Sequence, residues 1–260
     1  AKNILNETIN KFKAKITILA AGTVGSTKLV LKMKKYFNKT LILKNTPMYP
    51  FAVLFPTEFM RGASFKNFSY WHMSYFLEEK NLPNRCKIYG HLTPTDGINY
   101  NELSNRIPLP SPFNKLIAKF LWPKMILGTC IFPGYFSNNE IKLSEKNVLS
   151  INGDTHDEYF DYVKKSKKTL SKVFRKLNGL FLTDSKLPKL GEDSHYACTL
   201  PMKKDPKIIE TDVNGLLGGK GQIYCVDGSV LTELPAKSHT FTIMANSDRI
   251  SQQIIRRLNQ

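Results

Sequence analysis

A chain of 260 residues with 42% apolar and 11% aromatic content has the material for a sizeable core and is not disordered. Thirty-eight Lys and Arg against 21 Asp and Glu give a formal charge of +17, a balance that attracts nucleic acid, anionic membrane or an anionic substrate. The lysines are spread along the chain without an aromatic-interleaved basic motif, and no apolar run reaches the roughly 20 residues of a membrane span.

In chain order, the first 15 residues lack the apolar core of a signal peptide, and the sequence opens on Ala1, so a fragment or a processed product is expected. Residues 16–20 are a short apolar run predicted as a buried strand. It leads into Ala21-Gly22-Thr23-Val24-Gly25-Ser26, predicted as a small-residue turn. A helix should follow, with Leu29, Val30 and Met33 apolar and Lys32, Lys34 and Lys35 polar. Strand, small turn and helix start are how free N–H groups approach a phosphate-bearing cofactor, and also how an ordinary α/β turn is made. The full Gly-x-Gly-x-x-Gly fingerprint is absent from the chain.

From residue 41 to about 100 the runs 48–55, 68–76 and 86–92 are rich in aromatic and β-favouring residues and predict an antiparallel sheet. Tyr70, Trp71, Tyr75 and Phe76 either pack a core there or line a substrate pocket, while His72 and His91 read as structural. A Pro-rich connection over 107–113 precedes a short helix at 113–121, a strand at 125–132 and a strand pair within 140–152. Residues 157–177 are the clearest amphipathic helix, with Tyr159, Tyr162, Val163, Leu170, Val173, Phe174 and Leu177 inward and Asn178-Gly179 as its stop. Asn214-Gly215 signals a hairpin, and 222–226 a buried strand ending on Asp227-Gly228. Ser238 is placed to N-cap a last helix whose apolar face is Ile243, Met244, Ile250, Ile254, Ile255 and Leu258.

Four cysteines (Cys86, Cys130, Cys198, Cys225) lie far apart with no Cys-x-x-Cys pair, which argues against a metal site or a disulfide framework. Reduced, buried thiols in a cytoplasmic protein are expected. Two of the five histidines, His195 and His239, flank the Asp227-Gly228 strand end, each at the edge of a predicted element. Alone, either imidazole reads as a satisfied core or surface group.

Taken in order, these residues resemble the C-terminal portion of the glucose–methanol–choline (GMC) flavin oxidoreductases. The run 16–29 resembles that family's internal strand–Ala-Ala-Gly–helix signature, and 195–202 its His-x-x-Gly-Thr-x-x-Met motif. Val226-Asp227-Gly228-Ser229, with Pro235 and 238–246, resembles its closing flavin-contacting strand, loop and helix. The resemblance covers nearly the whole chain, closely at both ends and loosely between 41 and 190.

It implies an α/β (α+β) fold: a partial FAD-binding α/β domain lacking its N-terminal βαβ unit, from residues 1–40 and 191–260, plus an antiparallel-sheet substrate domain with helices over 41–190. It implies oxidation of a CH–OH group, in an alcohol or sugar-like substrate, to a carbonyl by hydride transfer to FAD. His195 would be the base and His239, where the family has His or Asn, would hydrogen-bond the developing alkoxide. Ala21, Gly22 and Thr23 would lie near the cofactor, and Asp227 with Gly228 at its ribityl or pyrophosphate region. Ser238, His239 and Thr240 would start a helix aimed at the pyrimidine edge.

Two departures stand out. Cys198 occupies the family's Gly position, where backbone freedom is lost. The unit that grips the ADP half is missing, so a complete FAD site needs a dinucleotide-binding segment beyond this chain. Other readings are a basic nucleic-acid-binding or interaction module, or an inactive pseudoenzyme on the same fold.

Overall fold

The computed structural model describes residues 12–56, 73–78, 82, 87–95, 101–183, 195–219 and 221–259. Fifteen helices and strands are found among them, in three sheets. The architecture is mixed α and β, with antiparallel sheets and several helices, as the sequence predicts.

The first strand, β1 (Thr17–Leu19), is followed by helix α1 (Gly22–Met33), and β2 (Thr40–Leu43) and β3 (Met48–Leu54) come next. Strands β4 (Met73–Leu77) and β5 (Ile88–Pro94) lead to helices α2 (Asn101–Arg106) and α3 (Phe113–Leu121). Then come β6 (Met125–Ile131), β7 (Asn139–Leu143), β8 (Leu149–Asn152), helix α4 (Tyr159–Lys176) and β9 (Leu180–Thr183). The chain closes with β10 (Ile223–Cys225) and helix α5 (Thr240–Leu258).

The largest sheet runs β4-β5-β6-β3-β9, all antiparallel, and α4 covers one face of it. That face is built from aromatic residues because the strands alternate and α4 supplies its own stripe of Tyr159, Tyr162, Val163, Leu170 and Phe174. Tyr49 reaches the helix itself, its hydroxyl 2.9 Å from the Ser166 hydroxyl in the buried interface. Two glycines make the packing possible: a Cβ at Gly128 would overlap the Phe51 ring, and one at Gly90 the Tyr75 ring. Val173 and Leu177, predicted inward, are 47% and 60% exposed. The helix stops as expected, but the left-handed residue is Asn178 (φ 58) rather than Gly179.

A three-stranded antiparallel sheet, β2-β7-β8, stands apart from it, and β1 pairs in parallel with β10. The β1–β10 pair joins residues more than 200 positions apart, with Thr17 opposite Ile223 and Leu19 opposite Cys225. Helix α5 is tied back to β10 by Ser247, whose hydroxyl donates to the Val226 carbonyl at 2.6 Å, and by Arg257, which donates to the Tyr224 hydroxyl at 2.7 Å.

Four local predictions need correcting. Residues 17–19 form a strand but not a buried one: Thr17 and Ile18 are exposed, because among the described residues β1 pairs on one side only, with β10. The run 22–26 is not a turn: α1 starts at Gly22 (φ 74), because the chain reverses in one left-handed glycine and the remaining small residues enter the helix. The buried stripe of α1 is Thr23, Ser26, Thr27, Val30 and Leu31, so Leu29 and Met33 face outward. On α5 only Ile250 and Ile254 are buried, whereas Met244, Ile255 and Leu258 are more than half exposed. The predicted strand residues 68–72, with Tyr70, Trp71 and His72, lie outside the described residues, as does Cys86.

Candidate active site

The carboxyl ends of two parallel strands are where open α/β sheets bind ligands. Here β1 ends at Leu19 and leads into α1, while β10 ends at Cys225 and leads through a short 3-10 turn, Gly228–Val230, toward α5. Ala21, Gly22 and Thr23 follow the end of β1, Asp227 and Gly228 follow the end of β10, and Ser238, His239 and Thr240 lie at the start of α5.

The segment after His195 is threaded through the gap. Ala197 exchanges two backbone bonds with Lys44 (2.8 and 3.0 Å), and the N–H groups of Cys198, Leu200 and Met202 donate to Gly228, Ser229 and Val230 at 2.8–3.1 Å. The threading needs Cys198 at φ 70, in the left-handed region. A glycine position in the resembled motif is therefore a left-handed position here, filled by a buried cysteine whose thiol burial pushes up to about 12.

Thr23 and Gly228 meet directly. The Thr23 hydroxyl donates to the Tyr196 carbonyl at 2.7 Å and passes so close to Gly228 that a Cβ there would sit 2.7 Å from its oxygen. Asp227 is 8% exposed, and both its carboxylate oxygens accept inside the protein: Oδ2 from the Ser26 hydroxyl, Oδ1 from the Ser229 N–H (3.0 Å) and hydroxyl (2.6 Å). One carboxylate thus fastens the first turn of α1 to the turn after β10. Neither Ser26 nor Ser229 was singled out from sequence, nor was the buried Thr27–Thr199 hydroxyl pair at 2.6 Å. The available signal was Thr23, Ser26 and Thr27 at helical spacing, a hydroxyl stripe on the helix face that also carries Val30 and Leu31.

His195 and His239 converge. Their ring centroids are 5.5 Å apart with planes at 73°, an edge-to-face pair, and the Nδ1 atom of each is buried from solvent. His239 is 8% exposed and is itself the N-cap residue of α5. That corrects the predicted cap. Ser238 does not cap a backbone N–H; its hydroxyl lies 3.4 Å from the Thr240 hydroxyl at the helix start. The loop leading to His239 rests on the large sheet: Ala236 packs against Tyr89, Ile131 and Met48, and the Lys237 ammonium lies 5.0 Å from the centre of the Phe76 ring. Tyr75 packs in the core under α4, and His91 is half-buried on the sheet face that carries Tyr89, its burial lowering its proton affinity.

The helix starts at this place suit an electron-rich group. No side chain caps α1 at Ala21 or α5 at His239, and neither first turn contains an acidic residue, so both present N–H groups and positive dipole ends. A Cβ on Gly22 would meet nothing within 4 Å, leaving its backbone open to close approach. These features fit the reactive end of a flavin. Among the described residues no group of three His, Cys, Asp or Glu side chains could hold a metal ion, and no helix is long and apolar enough to cross a membrane.

No protein-family profile matches the chain, and no curated protein matches it in sequence. A solved structure does: an FAD-dependent oxidoreductase from Chaetomium thermophilum, in complex with a small-molecule fragment, superposes with a TM-score of 0.52 at 13% identity. The alignment covers 98% of this chain and 57% of that one, so the present chain spans little more than half the length of the structure it resembles. At that identity the likeness is one of fold.

Proposed function

We propose that this chain, whose fold is that of an FAD-dependent oxidoreductase, is the acid–base portion of an enzyme of the glucose–methanol–choline type. It oxidises a CH–OH group to a carbonyl, with FAD as cofactor and a dinucleotide-binding segment completing the nucleotide site. The observation that carries the reading is the His195–His239 ring pair, 5.5 Å apart at the ends of two parallel strands and beside two uncapped helix starts.

A bound flavin supplies the hydride acceptor. Everything else falls to the chain. With Nδ1 buried, Nε2 of His195 is the nitrogen a substrate hydroxyl meets, and a neutral imidazole takes that proton near neutral pH. One O–H and one C–H bond break, the proton goes to His195, the hydride leaves the carbon, and C=O forms. His239 hydrogen-bonds the oxygen as negative charge grows on it. Gly22 and the N–H groups at the starts of α1 and α5 would hold an electron-rich edge of the cofactor, Gly22 leaving room for close approach. Asp227 holds the two strand ends in register through Ser26 and Ser229, and so positions that floor.

The dinucleotide-binding segment has a place to attach. Among the described residues β1 pairs only with β10, and parallel strands are ordinarily covered on both faces. Ile18, Leu29, Phe241 and Met244, all 48% or more exposed, lie on β1, α1 and α5 around that edge.

The test is anaerobic flavin reduction by an alcohol in the full-length protein. Losing a general base costs about 10²–10⁴-fold and losing an oxyanion donor about 10²–10³-fold, so His195→Ala and His239→Ala should slow bleaching by those factors while the flavin stays bound. Near-normal bleaching by His195→Ala would sink the assignment.

A further inference from the structure

The large sheet has a second face, opposite α4, and its register orders that face in rows. The first row is Tyr89–Ile131–Met48, the second His91–Thr129–Pro50 and the third Thr93–Leu127–Ala52. The first row is the one that packs on Ala236, three residues before His239. Rows on one face are two residues apart along each strand, so the third lies about 13 Å from the first.

At the far end the described residues leave the face unfilled. A cavity of about 450 Å³ opens there, walled by Pro50, Ala52 and Leu127 of the second and third rows, Leu182 of β9, Leu103 of α2 and Trp122 after α3. Among the described residues no charged side chain lines it, and the polar side chains that do are the hydroxyls of Thr129 and Thr183. The indole of Trp122 presents its ring, because its N–H donates to the Thr95 carbonyl at 3.1 Å. The volume is that of a small-molecule site, for which about 300–1,000 Å³ is usual, and the lining is what such sites use to hold hydrocarbon.

We infer that this cavity holds the apolar tail of the substrate: an alcohol whose hydroxyl reaches the His195–His239 pair and whose hydrocarbon or aromatic tail runs along the sheet face to Trp122. The substrate class is then a tailed alcohol rather than a sugar, whose many hydroxyls would have no partners against this wall. The inference rests on the oxidoreductase reading above.

Trp122 gives a readout that does not need turnover. In full-length protein with Trp71 and any tryptophan outside these 260 residues changed to Phe, so that emission reports Trp122, 1-alkanols from butanol to decanol are titrated. A saturable change is expected, with binding tightening about fourfold per added methylene. Ala52→Phe from β3 and Leu182→Phe from β9 each plug the cavity, and decanol binding should weaken at least tenfold in whichever variant keeps the parent's thermal melt. No saturable response, an affinity indifferent to chain length, or undiminished binding in a folded plug variant overturns the proposal. The same samples carry the flavin. Decanol binding without anaerobic bleaching keeps the cavity and removes the oxidoreductase reading. Bleaching by glucose or ethanol with Trp122 silent does the reverse.

Discussion

At Cys198 two preferences oppose each other. A non-glycine residue in the left-handed region carries a steric cost of about 1–2 kcal/mol, while the side chain is buried beside Ala197, Leu231 and Leu234. Cys198→Ala keeps the steric cost and loses the sulfur's packing; Cys198→Gly loses the packing too but removes the cost. The glycine variant should therefore be the more stable of the two by about 1 kcal/mol in urea unfolding, and the opposite order would mean that the backbone is not strained there. The need for glycine-like freedom at this position was legible in the motif, as was the meeting of two imidazoles. The partners of Asp227 were not. A strand-terminal Asp-Gly looks the same in sequence whether its carboxylate faces a ligand or, as here, two serines 201 and 2 positions away.

Among the elements, β6 is the strand on which the large sheet turns. It pairs with β3 on one side and β5 on the other, and its Gly128 is the one position where the Phe51 ring can lie flat across it. Gly128→Ala puts a methyl into that ring, which is also packed against Phe181 (5.0 Å between centroids) and Phe174. Overpacking of this kind costs about 1–3 kcal/mol, which a fall in thermal midpoint would report. Helices α3 and α4 and strands β3, β5 and β6 follow from periodicity with little error in their ends. Helix α2 and strands β2 and β9 do not: Asn101–Arg106 is a six-residue polar helix, and Leu180–Thr183 is too short for alternation to declare itself. The outward turn of Leu29, Met33, Met244 and Leu258 also escapes the sequence, because a hydrophobic stripe states what wants covering and not what covers it.

Over the whole molecule, burial sets the response to alkali. It pushes the thiol of Cys130 up to about 11 and those of Cys198 and Cys225 up to about 12, and raises the phenols of Tyr49 and Tyr75 as well. Each folded thiol keeps its proton above the ordinary value of 9.0 at which the unfolded one loses it, so unfolding releases protons and stability falls from pH 9 toward 11–12. About 1 kcal/mol per thiol is lost by pH 10, and melts at pH 8 and pH 10 should differ accordingly, less so in Cys225→Ala. A flat profile would place the thiols in contact with water. The pairing of β1 with β10 has a consequence of another kind, in time. Residue 17 cannot find residue 223 until nearly the whole chain has left the ribosome, and closing a loop of that length is among the slowest events a small domain faces. The large sheet can close as soon as residue 183 is out, whereas the floor under the two histidines is assembled last, by the segment that also brings His239. A chain stopped short of residue 223 would therefore complete its scaffold and never bring the two histidines together.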